Sequence, residues 1–179
     1  MTGILTASTN GTVSQTIKGG SAADVLTANG NADVLIGGAG NDTLIVGALG
    51  NLTPMTGGAG NATFNVAAAT TNVNSYVTIT DLTAGDKIKF AATCASFNAS
   101  KVTRADTAVF QDFANAAINA TDAGQISWFQ FGGNTDVIEN ANNSTSFVNG
   151  TDMIVKITGA VDLSTASYSV TASTLLIIG

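Results

Sequence analysis

Histidine is absent from the sequence, cysteine occurs once (Cys94), and lysine and arginine together number only 6. Without histidine, no Ser-His or Cys-His nucleophilic pair can be assembled, and a zinc site of the usual His/Cys kind lacks its ligands. One cysteine forms no disulfide within the chain, so stability outside the cell must come from elsewhere, such as a metal. Cys94 itself is expected to be a small buried side chain. Twelve acidic residues outweigh the basic ones, for a net charge of −6 and a pI near 4.1, and no basic cluster occurs. Nucleic acid and anionic membrane surfaces are therefore poor partners, and divalent cations better ones. No apolar run approaches the roughly 18 residues that span a bilayer, so no transmembrane segment is expected. Nor does a basic segment followed by an apolar one open the chain, so export would have to use another signal.

What is present is mostly small, β-branched and turn-forming. Hydrophobic residues make up 45% of the chain and charged residues 10%. Ala, Val, Ile and Leu alternate with Thr, Asn and Gly, a composition that suits a β-rich protein with many tight turns.

Residues 19 to 45 fall into three rows of nine: Gly-Gly-Ser-Ala-Ala-Asp-Val-Leu-Thr, Ala-Asn-Gly-Asn-Ala-Asp-Val-Leu-Ile and Gly-Gly-Ala-Gly-Asn-Asp-Thr-Leu-Ile. Asp24, Asp33 and Asp42 are in register, as are Leu26, Leu35 and Leu44. A fourth row, Val46 to Thr56, is two residues too long. The fifth, Gly57 to Asn65, returns to phase with Phe64 in the leucine place and Ala62 in the aspartate place. In each row, Gly and Asn supply the tight turn, the aspartate closes it, and a short strand turns its middle side chain inward. One row cannot bury its own leucine, so the unit is stable only as a stack. Consecutive strands take opposite sides of a flattened roll, which puts Asp24 and Asp42 on one side and Asp33 on the other. Along these columns Asp42 should meet Ala62 next, and Asp33 should meet Asn51.

Rows of the form G-G-x-G-x-D-x-U-x resemble the RTX calcium-binding repeat. The resemblance implies an all-β fold, a parallel β-roll followed by a β-rich C-terminal cap with one short helix. It also implies calcium as cofactor. The ligands would be Asp24, Asp33 and Asp42 together with the turn glycines Gly20, Gly37, Gly38, Gly40, Gly58 and Gly60, whose carbonyls can approach a metal. Calcium takes about six to eight oxygens, and stacked turns that mix carboxylates with carbonyls can supply them. The best site is expected between Asp24 and Asp42. The plainer alternative is that the aspartates only close turns.

Beyond the repeats, Val77 and Ile79, then Ile88 and Phe90, suggest two strands around the turn Thr83 to Asp86. The string from Ile79 to Ile88 is similar to the segment that follows RTX repeats, which adds Asp81 and Asp86 to the implied metal residues. A helix is expected over residues 107 to 119, capped by Asp106 or Thr107, with Val109, Phe110, Phe113, Ala117 and Ile118 on its apolar face, covering an open sheet. Ile126 to Phe131 and Thr135 to Glu139 flank Gly132-Gly133-Asn134 as a hairpin. From about Trp128 onward the chain resembles the C-terminal region of RTX-type S-layer and related surface proteins, which carries an uncleaved type I secretion signal.

Residues 1–66 are therefore expected to form the calcium-binding roll, and residues 67–179 the capping and secretion region. The implied product is extracellular or at the cell surface, not an enzyme. Its partners would be calcium, a type I exporter and neighbouring copies in a surface lattice. A structural or adhesive module assembled through calcium is the competing reading. An ice- or carbohydrate-binding solenoid would need threonines in strict ranks, and Thr27, Thr43 and Thr63 do not share one row position.

Overall fold

A computed structural model describes residues 3–10, 13–48, 52–69, 71–91 and 94–178. Its first half is a chain of short strands that alternate between two sheets. These are β1 (Thr6–Ser8), β2 (Thr16–Lys18), β3 (Val25–Ala28), β4 (Val34–Ala39), β5 (Thr43–Val46), β6 (Pro54–Ala59), β7 (Thr63–Asn65), β8 (Val77–Ile79) and β9 (Lys87–Lys89). Odd strands stack in parallel in one sheet and even strands in the other. Val25 pairs with Thr43, eighteen residues on, so one full coil of the roll consumes two rows of nine. Leu35 pairs with Met55, twenty residues on, because the irregular row carries two extra residues.

The alternation inside each strand sets the core. Leu26, Leu44, Phe64 and Ile88 point inward from one sheet, facing Leu35, Met55 and Ile79 from the other, all fully buried. Full burial of each such side chain contributes about 1.5–3 kcal/mol. Three-residue strands are too short to be stable alone, so the stack holds together through this shared column of side chains. On the outer surface Thr43 and Thr63 do pair in register, but Val25 and Lys87 interrupt the same column, so no continuous threonine rank forms.

The stack is longer than the row pattern indicated, at both ends. A coil made of β1 and β2 precedes Gly19. Past residue 66, where the roll was expected to end, β8 pairs in parallel with β6 and β9 with β7. The spacing there stretches to twenty-four residues, Thr63 to Lys87, which hides the coil from a nine-residue reading. The turn at Thr83 to Asp86 consequently joins the two sheets and does not close a hairpin.

The remaining strands extend the same two sheets. On the even side these are β10 (Ser96–Phe97), β11 (Gln125–Phe131), β12 (Asn134–Asn140) and β13 (Met153–Ile157), with β13 parallel to β8. The β11–β12 hairpin turns at Gly132 and Gly133, both at positive φ, as the sequence predicted. On the odd side β14 (Ser167–Ser169) pairs with β15 (Thr174–Leu176), which runs antiparallel to β9. Trp128, Val137, Val155 and Leu175 thus join the core begun by Leu26. Cys94 is buried in it, as expected.

Among the described residues a single helix, α1 (Phe110–Asn119), lies on the outer face of β11 and β12. It starts three residues later than predicted, because Asp112 reaches back to accept the Val109 N–H at 3.0 Å and so caps the first turn. Phe110 and Phe113 pack against Phe129 and Phe131, with ring centroids 5.4–5.6 Å apart. The protein is thus an all-β parallel β-roll continued by β-rich strands and one short helix. Among the described residues no helix is long and apolar enough to cross a membrane.

Candidate metal centre

Four turns lie along one edge of the roll, between β2 and β3, β4 and β5, β6 and β7, and β8 and β9. Asp24, Asp42, Ala62 and Asp86 stand at the same place in these turns, since Val25, Thr43, Thr63 and Lys87 are successive register partners. Each carboxylate reaches back one coil to a backbone amide. The Leu5 N–H donates to Asp24 Oδ1 (2.7 Å), the Asp24 N–H to Asp42 Oδ1 (2.8 Å), and the Ala62 N–H to Asp86 Oδ1 (2.8 Å). On the opposite edge the Gln15 N–H donates to Asp33 Oδ1 at 2.8 Å. Wherever the column of Asp24 holds an aspartate it clips its coil to the one before, and Asp24 and Asp42 share an edge as the rows predicted.

The second carboxylate oxygens separate the residues. Asp24 Oδ2 accepts the Gly20 N–H (2.6 Å). Asp33 Oδ2 accepts the Gly30 N–H (2.8 Å) and the Thr9 hydroxyl. Asp86 Oδ2 accepts the Thr83 N–H (2.8 Å). Asp42 Oδ2 is buried and, among the described residues, has no hydrogen-bond partner. A buried carboxylate oxygen without a donor destabilises the fold unless something positive meets it.

The glycines show where that something belongs. A side chain at Gly37 would collide with Asp42 Oδ2 and with the Gly57 carbonyl, and one at Gly19 would collide with Asp24 Oδ2 and the Gly37 carbonyl. Two oxygen-lined cradles are therefore stacked along this edge, each combining a carboxylate with a carbonyl from the next turn. At Gly38 and Gly58, φ is +111° and +87°, and the Gly20 and Gly38 carbonyls press against their bare α-carbons. Only glycine suits that combination. Gly40 and Gly60 continue the column, with the Gly40 carbonyl directed at Gly60. The next cradle, at Gly57, is closed by apolar atoms, the Cβ of Ala62 and the ring of Phe64.

Charge follows the same geometry. The Gly20 and Leu5 amides hold Asp24 below the ordinary aspartate range. Burial pushes Asp42 up, and the Asp24 charge adds to this, against the pull of the Asp24 N–H. Asp33 is also pushed up by burial, but the Thr9 hydroxyl and the Gln15 and Gly30 amides outweigh it and hold it low. Among the described residues no three His, Cys, Asp or Glu side chains gather to hold a metal by themselves. Carbonyl oxygens must complete any coordination shell here, which is the donor set of a hard cation such as calcium.

The other expected ligands have different surroundings. Asp33 lies on the far edge, where the register places Thr53 next in its column. The expected neighbour Asn51 lies outside the described residues. Asp81 accepts the Gly57 N–H (2.8 Å) and the Gly58 N–H (2.7 Å), so it supplies the carboxylate that Ala62 cannot. Asp81 and Asp86, both in the last turn, thus tie it to the third through the Gly57, Gly58 and Ala62 amides.

Two buried acids in the C-terminal strands were not singled out from the sequence. Asp136 Oδ1 and Glu139 Oε2 are buried without hydrogen-bond partners among the described residues. Burial pushes Asp136 up to about 7, with Lys156 pulling the other way. Glu139 is raised by burial, and by the charge of Asp152, against the pull of the Cys94 thiol. The available signal was their place in Thr135 to Asn140, inside a strand flanked on both sides by strands.

Comparison with known proteins bears on the repeats alone. Residues 11–44 match the family model described as RTX calcium-binding nonapeptide repeat (4 copies). No curated protein matches the chain. The matched stretch ends inside β5; the row from Gly57 to Asn65 beyond it is read from the sequence, and the coil of β8 and β9 from the fold.

Proposed function

We propose that this chain, which carries RTX calcium-binding repeats on a β-roll, is the calcium-dependent folding and type I export module of a bacterial surface protein, an S-layer protein or one like it. The observation that carries the reading is Asp42 Oδ2, buried without a donor beside the Gly57 carbonyl. The residues that would hold the metal are Asp24 and Asp42 with the turn carbonyls of Gly37 and Gly57. Bound calcium supplies positive charge and accepts about six to eight oxygen ligands at one point. Burial disfavours the charge of Asp42 in that position, and the charge of Asp24 in the neighbouring coil adds to this, so a cation beside Asp42 Oδ2 would relieve both. Where calcium is scarce, as in the cytosol, the coils are therefore poorly held and the chain stays in the unfolded form that a secretion channel requires. Where free calcium stands ~1,000-fold above the dissociation constant, linkage adds about 4 kcal/mol to folding. That is comparable with the whole stability of a modest domain.

The repeat fold is a structural calcium-binding one, and the uses proposed for it are folding and export. A structural role in a surface lattice is favoured by a separate observation. β1 and β2 are edge strands, with Ile4 (73% exposed) and Val13 (66% exposed) beside them, and edge strands can pair with further coils. Both readings use the same calcium-folded roll.

The test is a calcium titration of the 179-residue chain from a chelated start, followed by far-ultraviolet circular dichroism. Cooperative gain of β-structure is expected, with the midpoint for Asp42→Ala shifted upward about tenfold or more, the scale of one lost charged contact. Equal folding with and without calcium sinks the proposal.

A further inference from the structure

The outer face of the even sheet holds a feature that the calcium edge does not use. Helix α1 covers Phe129, Ile138 and Ile154 and then ends. Beyond its first turn the same sheet face opens into a cavity of about 520 Å³, bordered by Tyr76, Phe110, Phe131, Asp136 and Lys156. Asp136 is 2% exposed, and its Oδ1 has no partner. Lys156 is its cross-strand neighbour on β13, and the ammonium lies over the Tyr76 ring, 5.9 Å from the centroid. An unpaired buried carboxylate oxygen weakens the fold, so stability does not account for Asp136, whereas a ligand donor would complete it.

We propose that this cavity binds one ring of a saccharide, with a ring hydroxyl held between Asp136 and Lys156 and the apolar face of the ring against Tyr76, Phe110 and Phe131. The hydroxyl is selected by the two charged groups together. An ionised carboxylate only accepts hydrogen bonds and an ammonium only donates them. A hydroxyl does both, so one group can donate to Asp136 Oδ1 and accept from Lys156 Nζ. Asn74 and Gln111 also border the cavity, and side-chain amides both donate and accept, as a polyol requires. A ligand ammonium would suit Asp136 but would meet the charge of Lys156, and a ligand carboxylate would suit Lys156 but would meet Asp136. The cavity volume falls within the range of ordinary small-ligand pockets, roughly 300–1,000 Å³.

The experiment uses the calcium-loaded 179-residue chain and a panel of methyl glycosides of glucose, galactose, mannose and N-acetylglucosamine. Titrations are followed by amide chemical shifts, with tetramethylammonium and free leucine as comparison ligands. At least one glycoside is expected to give saturable shifts centred on Tyr76, Phe131 and Asn134. Asp136→Ala should weaken that binding about tenfold or more while leaving the melting temperature equal or higher. Tyr76→Ala, at the cavity wall, should weaken it as well. Saturable binding of tetramethylammonium or leucine in place of every glycoside overturns the proposal. So does the absence of any saturable glycoside shift in a folded sample, or parental affinity in both variants.

Discussion

Asp136 makes a single residue's burial measurable as a pH effect. Its carboxyl is raised from an ordinary 3.8 to about 7, chiefly by burial, with Lys156 opposing. In the unfolded chain it ionises near its ordinary value, so between the two values the folded state holds a proton that the unfolded state has lost. Stability from this group is full below about pH 4 and falls as pH rises through about 7, at roughly 1.4 kcal/mol per pH step. Asp136→Asn, which cannot ionise, should therefore gain on the parent across that window, by roughly 4 kcal/mol at most above pH 7. Thermal melts of both chains in calcium-saturated buffer from pH 4 to 8 check this, and parallel curves would contradict it. Ala32 offers a second case, on the edge opposite the calcium cradles. It adopts φ of +58°, a left-handed conformation that costs a non-glycine residue about 1–2 kcal/mol. Ala32→Gly should raise stability by about 1 kcal/mol, less the extra entropy of the unfolded glycine. Urea denaturation at fixed calcium would read it.

At the scale of the element, the turn between β8 and β9 shows how the roll manages a defective row. Ala62 leaves the third turn of the calcium edge without its carboxylate. Asp81, one coil later, instead takes both glycine amides of that turn, Gly57 and Gly58. Asp86 meanwhile keeps the usual clip, accepting the Ala62 N–H. Asp81→Ala should cost about 1–2 kcal/mol, the loss of two charge-assisted bonds at a half-buried position. Because the carboxylates of the cradles at Gly19 and Gly37 are Asp24 and Asp42 and not Asp81, its calcium stoichiometry should match the parent's. Calorimetric titration and denaturation on the same variant separate the two effects, and fewer calcium sites would show that Asp81 is a ligand after all.

For the whole molecule, the C-terminal strand is where folding and export compete as explanations. Leu175 is fully buried and Ile177 nearly so, and β15 links β9 to the edge strand β14 of the odd sheet. Removing residues 174–178 should therefore destabilise the fold by several kcal/mol, since two buried aliphatic side chains go with the strand at about 2–5 kcal/mol each. The proposed export role predicts more than this. Leu175→Ala should weaken the fold yet be secreted through a matching type I exporter, which carries unfolded chain. The truncated protein should stay inside the cell while synthesis continues. Secretion of the truncated chain at parental level would place the signal elsewhere.

Much of this protein was legible in the order of its residues, for a local reason. A repeat coil is specified by its own few residues: glycines where the chain turns, an aspartate to clip the turn, and an aliphatic side chain pointing inward. Asp24, Asp33, Asp42, Leu26, Leu35 and Leu44 could therefore be placed in the roll, and Asp24 and Asp42 on one edge, by counting in nines. Counting failed where the chain between coils lengthens, as from Thr63 to Lys87, because loop length costs little while register is held by pairing across the sheet. Which oxygens are already occupied by hydrogen bonds was likewise decided only in three dimensions. Asp33, Asp42, Asp81 and Asp86 carry the same side chain, yet only Asp42 keeps a buried oxygen with no donor, because each amide it meets depends on the coil stacked beside it. Asp136 and Lys156 are twenty residues apart in sequence and become neighbours only when β12 and β13 pair, so their cavity exists at the level of the sheet and nowhere below it.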